Sequence, residues 1–159
     1  MAIINVSAGN EARITLGDSA ANASISGTDG LSIPSMQDIT INNSTGVFRF
    51  KTLDNTAESA VTTPATNQIT LNVVVDQDAF FGNDAGTNDT VVNTGLFGCS
   101  KNKTRVFFEA GFQGNDSGSK YVSGSGFISG LAPTVNMDSP VWVTPVTIEV
   151  DGDYTESEV

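Results

Sequence analysis

The most informative part of the chain is residues 104–155, TRVFFEAGFQGNDSGSKYVSGSGFISGLAPTVNMDSPVWVTPVTIEVDGDYT. It contains three runs in which apolar and polar residues alternate, the pattern of half-buried β-strands. These runs span residues 105–112, 120–131 and 141–150, and turn-forming residues separate them. Proline cannot donate a ladder hydrogen bond, so Pro145 in the last run predicts either an edge strand or a bulge.

The same alternating pattern continues upstream. The clearest run is 68–76, with every second residue apolar from Ile69 to Val75. Shorter runs at 37–41 and 47–53 precede it, and Asn42–Gly46 between them predicts a hairpin turn. Residues 54–67 are rich in turn-forming types and predict a loop that is long for a compact domain.

One helix is predicted, over residues 87–99. Asn88 or Asp89 would cap its N-terminus, and Gly98 would end it. Its apolar stripe would consist of Val91, Val92 and Leu96. These patterns predict an all-β fold class with one short α-helix.

Three parts of the chain are distinguished by composition. Residues 1–35 are poor in charge and form an N-terminal arm, which either drapes over its own domain, drapes over a neighbour, or is disordered. Residues 36–155 form the β-strand domain, including the long loop. Residues 156–159 are an acidic tail.

Composition restricts the chemistry of the chain. Its 159 residues carry a net charge of −11, which argues against binding nucleic acid or an anionic membrane. Histidine is absent and Cys99 is the sole cysteine, so histidine-dependent nucleophiles, thiolate zinc sites and an internal disulfide are excluded. We expect no enzyme activity, no cofactor and no metal, with Cys99 as a small buried hydrophobe. We also expect no signal peptide and no membrane-spanning segment.

The order of these patterns resembles the phage tail tube protein (major tail protein) family. The resemblance is carried by QITLNVVVD at 68–76, the short helix, TRVFFEAGF at 104–112, the strand around Gly124–Ser129 and the terminal strand Val146–Gly152. It spans roughly residues 36–155. It implies a β-sandwich or barrel of mostly antiparallel strands with one short flanking α-helix. It also implies a structural virion protein that self-assembles into hexameric rings, which stack into a tail tube that conducts the genome.

The resemblance also implies partners and a location. The main partner would be the chain itself, with sheath, tape-measure and tail-terminator proteins as further candidates. DNA would pass through without specific binding, and no membrane would be involved. The protein would be assembled in the bacterial host cytoplasm and reside in the virion tail.

Two sets of site residues follow from the resemblance. The loop 42–67 would reach the next ring. The cluster of Lys101, Lys103 and Arg105 would either interact with the dipole of the preceding helix at its C-terminus or contact acidic groups of a neighbouring subunit. The candidates for contacts between subunits or rings are Arg49, Lys51, Asp54, Glu58, Lys101, Lys103 and Arg105. The candidates for the lumen surface are Gln68, Thr70, Asn72 and Asp76.

Two other function classes remain open at this point. A capsid decoration protein or a head–tail connector component would share the acidity and the β pattern. A carbohydrate-binding module would need clustered exposed aromatic residues, whereas Trp142, Tyr121 and Tyr154 are far apart in the sequence.

Overall fold

The computed structural model of the chain describes residues 12–83, 88–112 and 117–159. These residues form a mostly β fold with antiparallel strand pairs, as the sequence predicted, together with two helices. In chain order the elements are β1 (Arg13–Gly17), β2 (Leu31–Ser32), β3 (Met36–Phe50), β4 (Ser59–Val74), α1 (Gln77–Phe81), α2 (Thr90–Asn102), β5 (Arg105–Gly111), β6 (Lys120–Leu131), β7 (Thr134–Asn136), β8 (Ser139–Val150) and β9 (Thr155–Glu158).

The strands are hydrogen-bonded in one continuous path, in the order β2-β1-β5-β6-β8-β4-β3. Two short strands lie off this path, where β7 pairs with β8 and β9 pairs with β6. Within the described residues, β3 and β2 therefore lie at opposite ends of the path. The three runs of 104–155 become the neighbouring central strands β5, β6 and β8, as expected for the fold-deciding stretch.

The core lies on one face of this sheet. Alternate residues of β1, β4, β5 and β8 point into it, so the period of two seen in the sequence becomes burial in the structure. Helix α2 covers the core with Val91, Leu96 and Cys99. The largest fully buried side chain is Phe108, whose ring lies against Gly124 of β6. A Cβ at Gly124 would lie 2.9 Å from that ring, so glycine is needed for this close approach.

Pro145 lies in a central strand, so the edge-strand alternative is wrong. β8 pairs with β4 on one side and with β6 and β7 on the other. The pairing with β6 ends at Val146 and the pairing with β7 begins at Val143, so Pro145 faces the break between those two strands. In this break the N–H of Ala132 donates to the hydroxyl of Thr144 at 3.1 Å. The proline thus occupies a position where a regular ladder is already interrupted.

The predicted turn at Asn42–Gly46 is wrong, and the loop predicted over 54–67 is confirmed only for residues 54–58, because β4 begins at Ser59. β3 continues through Asn42–Gly46 and pairs with β4 out to Phe50, and residues 51–58 form the connection. Turn-forming types are tolerated here because Gly46 lies at a register shift, with Thr63 and Pro64 opposite it. The threonines of 62–66 favour the extended conformation of a strand, although the Asn- and Ser-rich composition of the segment suggested a loop.

The helices differ in part from the prediction. Asp89 caps α2 as predicted, but the helix continues past Gly98 to Asn102 and ends at Lys103, which has φ 54°. Gly95 interrupts α2 with φ 66°, and a Cβ there would lie 2.6 Å from the carbonyl oxygen of Phe80. The strand predicted to reach Asp76 ends at Val74, because Asp76 caps the unpredicted helix α1.

Residues 12–35 of the N-terminal arm pack on the rest of the chain, whereas residues 1–11 lie outside the described residues. β1 pairs with β5, and the following segment crosses the opposite face of that pair. Ala23 and Ile25 of this segment are buried, and the Ile25 N–H donates to Glu109 at 2.6 Å.

Candidate assembly surfaces

A long hairpin projects from the sheet. β4 pairs with β8 only from Gln68 to Val74, so residues 59–67 pair with β3 alone. We call residues 43–67 the projecting hairpin. All of its residues except Ala65 and Asn67 are exposed. This segment therefore extends beyond the part of the sheet that packs on the core.

The projecting hairpin has an apolar face and a basic face. Phe48 and Phe50 stack with ring centroids 6.2 Å apart, and Val61 pairs with Phe48 across the ladder. Phe48 is 58% exposed, and Leu53 near the tip is fully exposed. Arg49, one residue out of phase with the phenylalanines, lies on the opposite face. A two-stranded hairpin is marginal in water and exposed apolar patches mark interaction sites, which makes this a candidate interface.

The structure divides the predicted contact residues into two groups. Arg49, Lys51, Asp54 and Glu58 all lie in the projecting hairpin and are exposed. Among the described residues the two ion pairs are Arg105–Asp151 and Lys120–Glu158, so none of those four takes part in an ion pair.

The second group lies at the end of α2. Lys101 and Lys103 are exposed, and Lys103 is the C-cap, where a cation complements the helix dipole. Arg105 differs from them because it pairs with Asp151 of its own chain. Its guanidinium also lies 5.4 Å from the centroid of the Phe127 ring.

Gln68, Thr70 and Asn72 share one polar face of the sheet. This face is opposite the core, because the intervening residues Ile69 and Leu71 are buried. The polar face continues onto β3 and β8 through the residues that pair with these three. They are Asp38, Thr40, Asn42, Pro145, Thr147 and Glu149.

Hydrogen bonds connect the polar face across its strands. Gln68 donates to Glu149 at 2.7 Å, and Asn72 donates to both oxygens of Asp38 at 2.9 and 3.0 Å. The face includes two carboxylates and no lysine or arginine. Asp76, the fourth lumen candidate, does not belong to it, since it lies beyond the end of β4 and caps α1.

The base of the projecting hairpin is hydrogen-bonded to the C-terminal segment. The Tyr154 hydroxyl lies 2.8 Å from the carbonyl oxygen of Asn42 and 3.1 Å from that of Gln68. Its one proton is therefore shared between two acceptors, one on each strand at the base of the hairpin. Asn67 donates to the carbonyl of Gly152 at 2.8 Å. Burial raises the pKa of Tyr154 above its ordinary value.

An apolar groove, which the sequence reading missed, lies between α1 and the β7–β8 hairpin. We call it the α1 groove. It has a volume of about 500 Å³ and is lined by Val74, Val75, Gln77, Phe81, Pro140, Val141 and Trp142. By the two-residue period of a strand Trp142 lies on the same face of β8 as the buried Val146 and Ile148, but it is 48% exposed. The core begins only at Thr144, so the first apolar residues of β8, Val141 and Trp142, line the groove.

The described residues offer little for catalysis. No group of three or more Cys, Asp or Glu in the described ranges is placed to hold a metal ion. Cys99 is fully buried, as predicted, and burial raises the pKa of its thiol. In the described part of the chain, no helix is long and apolar enough to cross a membrane.

Comparison with known proteins shows similarity of structure without similarity of sequence. No protein family model matches the chain, and no curated protein matches it. Solved structures match along nearly its whole length. A chain from the virion of a native gene transfer agent particle has a TM-score of 0.63 at 10% identity, covering 95% of this chain and 98% of the other.

Two further structures come from tails. A chain of the tail of an empty gene transfer agent particle, refined with C6 symmetry, has a TM-score of 0.57 at 12% identity and covers 94% of this chain and 99% of its own. A chain of the SPP1 tail tube has a TM-score of 0.61 at 10% identity, and the match covers 94% of this chain and 77% of the SPP1 chain. The chain has the tail tube fold. The resemblance predicted from the sequence is thus confirmed at the level of the fold.

Proposed function

We propose that the chain is a structural tail tube subunit that assembles into hexameric rings, and that these rings stack into a hollow conduit for DNA. The observation that carries this proposal is the projecting hairpin, whose apolar face the chain itself leaves uncovered, on a fold shared with the SPP1 tail tube. The C6 symmetry of the tail with the same fold supports six subunits per ring.

The free edge of β3 supports lateral assembly. β3 is 15 residues long and, among the described residues, pairs with β4 alone. A free edge offers unpaired N–H and C=O groups that pair readily with another chain. We infer that neighbouring subunits join their sheets through such edges, giving a continuous inner barrel.

The polar face is the proposed lumen surface. Gln68, Thr70 and Asn72 lie on it with the carboxylates of Asp38 and Glu149, and no cation lies among them. Such a surface gives DNA phosphates no ion pair and repels them, so the genome passes without being held. Asp76 is left out of this proposal because its carboxylate accepts the N–H groups of Asp78 and Ala79.

The projecting hairpin is proposed to connect stacked rings. In the assembled tube Arg49 and Lys51 would meet acidic residues of another copy, and the exposed phenylalanines would be buried. The further partners would be sheath, tape-measure and tail-terminator proteins. The proposed location is the virion tail, with assembly in the cytoplasm of the bacterial host.

Negative-stain electron microscopy of the concentrated, purified protein tests this proposal. We expect hollow tubes of uniform diameter with regular striations. The variant Arg49→Glu/Lys51→Glu should stay folded by circular dichroism and form no tubes, because both cations lie outside the core. The control Lys120→Glu/Glu158→Lys exchanges the charges of an ion pair on the body and should still form tubes. Rings that never stack would favour a head–tail connector component instead, and persistent monomers would overturn the proposal.

A further inference from the structure

We infer that the α1 groove is the receptor for the projecting hairpin of a second copy of this chain. The inference rests on the proposed function, because it requires the hairpin to contact another subunit. It goes further by naming the surface on which the hairpin lands, which neither the fold nor the sequence resemblance identifies.

The hairpin and the groove lie at opposite ends of one strand. β4 has 16 residues and runs from Ser59 in the projecting hairpin to Val74 in the lining of the groove. At roughly 3.3 Å per residue the two ends are about 50 Å apart. A protruding element at one end and a cavity at the other make a head-to-tail interface, which propagates into an open polymer when it does not close.

The two surfaces are both apolar and both uncovered. The groove is walled by the side chains of Phe81, Val141 and Trp142, each about half exposed. The hairpin presents Phe48 and the fully exposed Leu53. Removing apolar side chains from water is favourable, so covering one surface with the other stabilises the contact.

The basic segment of the hairpin is complementary in charge to the surroundings of the groove. The hairpin carries the cations Arg49 and Lys51 beside its exposed phenylalanines, and the anions Asp54 and Glu58 follow in the connection to β4. The segments around the groove, 74–81 and 138–142, contain Asp76, Asp78 and Asp138 and no basic residue. Opposite charges on facing patches steer encounter and set register.

The acids beside the groove are not neutralised within the chain. In the described ranges, the ion pairs engage Asp151 and Glu158, so Asp76, Asp78 and Asp138 take part in neither. All three are exposed. Asp78 and Asp138 are therefore placed to receive the cations of an incoming hairpin, whereas the Asp76 carboxylate already accepts the N–H groups of Asp78 and Ala79.

A charge exchange tests the inference. Asp78→Lys/Asp138→Lys should abolish tubes as Arg49→Glu/Lys51→Glu does, and combining all four substitutions should restore tubes. Asp76 is left unchanged because it caps α1. The matched control, Asp29→Lys/Glu156→Lys, alters exposed acids away from the groove and should keep tube formation. Failure of the combined variant to form tubes, with both double variants folded, would overturn the inference.

Cross-linking gives an independent reading of the contact. Leu53→Cys with Val141→Cys should give disulfide-linked multimers on oxidation of assembled protein, whereas Leu53→Cys with Thr28→Cys should not. Cys99 does not compete because it is fully buried. Tubes without the first cross-link would overturn this inference and leave the proposed function standing. Absence of tubes from the unmodified protein would overturn both.

Discussion

The body of the sheet and the projecting hairpin use the same secondary structure for opposite purposes. In the body, strands are paired on both sides and one face is buried against α2. In the hairpin, two strands pair only with each other and both faces are exposed. Apolar residues in the first region hold the monomer together, while those in the second remain available for contacts with another molecule. The same substitution should therefore have different consequences in the two regions.

The largest difference is expected for phenylalanine. Phe108→Ala should lower the free energy of unfolding by about 3–5 kcal/mol, because it removes the largest fully buried side chain and leaves a cavity. Phe48→Ala is the matched change in the projecting hairpin and should cost less than about 1 kcal/mol in the monomer. Denaturant unfolding of both monomers measures this difference.

In tube formation the order should be reversed, with the larger direct effect expected from the substitution in the hairpin. Phe48→Ala should impair tube formation under conditions where its monomer is as folded as the parent, since its ring is available for intermolecular burial. Equal losses of stability from the two substitutions would show that the hairpin contributes to the fold of the monomer, and the contrast between the regions would fail.

The two regions also differ in how well the sequence predicted them. In β4, the alternation from Ile69 to Val73 corresponds to burial on one face, so pattern alone located the strand. The projecting hairpin has no buried face to impose such a pattern. The run at 47–53 did predict a short strand there, but the flanking segments are rich in Ser, Thr, Asn and Gly, which favour turns when read locally. The long-range register of Asn43 with Asn67 shows that these segments are paired strands.

The candidate site was predicted in the same uneven way. The charges of Arg49 and Lys51 and the polar face with Gln68 could be read from the sequence. The α1 groove could not, because it is formed by segments more than fifty residues apart, around Phe81 and Trp142. Short apolar runs beside a proline read as strand interior, and only the folded chain shows where the core ends.

A smaller contrast is expected between two helix caps of the same chemistry. The Asp89 carboxylate is buried and accepts the N–H groups of Val91 and Val92 and, across the fold, that of Asp18 at 3.1 Å. Asp89→Ala should cost about 2 kcal/mol, because three N–H groups lose their acceptor in a buried place. Asp76→Ala removes the exposed cap of α1 and should cost about 0.5–1 kcal/mol.

Thermal and denaturant unfolding of these two variants measures how much unfolding free energy is lost at the buried cap and at the exposed cap. Asp89→Asn is a useful control, since it keeps an oxygen acceptor at the cap and should recover part of the loss. If Asp76→Ala were as costly as Asp89→Ala, burial would not be what distinguishes the two positions.

The smallest effect concerns the link between the two regions. Tyr154→Phe keeps the aromatic contact with Phe108, whose ring centroid lies 6.3 Å away, and removes only the hydroxyl that reaches the base of the hairpin. We expect a loss of about 1 kcal/mol, the value of one hydrogen bond.

Tyr154→Phe should also change the response to alkali. Burial raises the folded-state pKa of Tyr154, so between the ordinary value of about 10 and the higher folded value the native chain retains a proton that the unfolded chain loses. The stabilisation is then fully present below about pH 10 and is lost as pH rises through the folded pKa. The difference in unfolding free energy between parent and Tyr154→Phe should therefore shrink above pH 10. A difference independent of pH from 8 to about 11.5 would show that the hydroxyl titrates alike in the folded and unfolded states, and the burial of Tyr154 would then not raise its pKa.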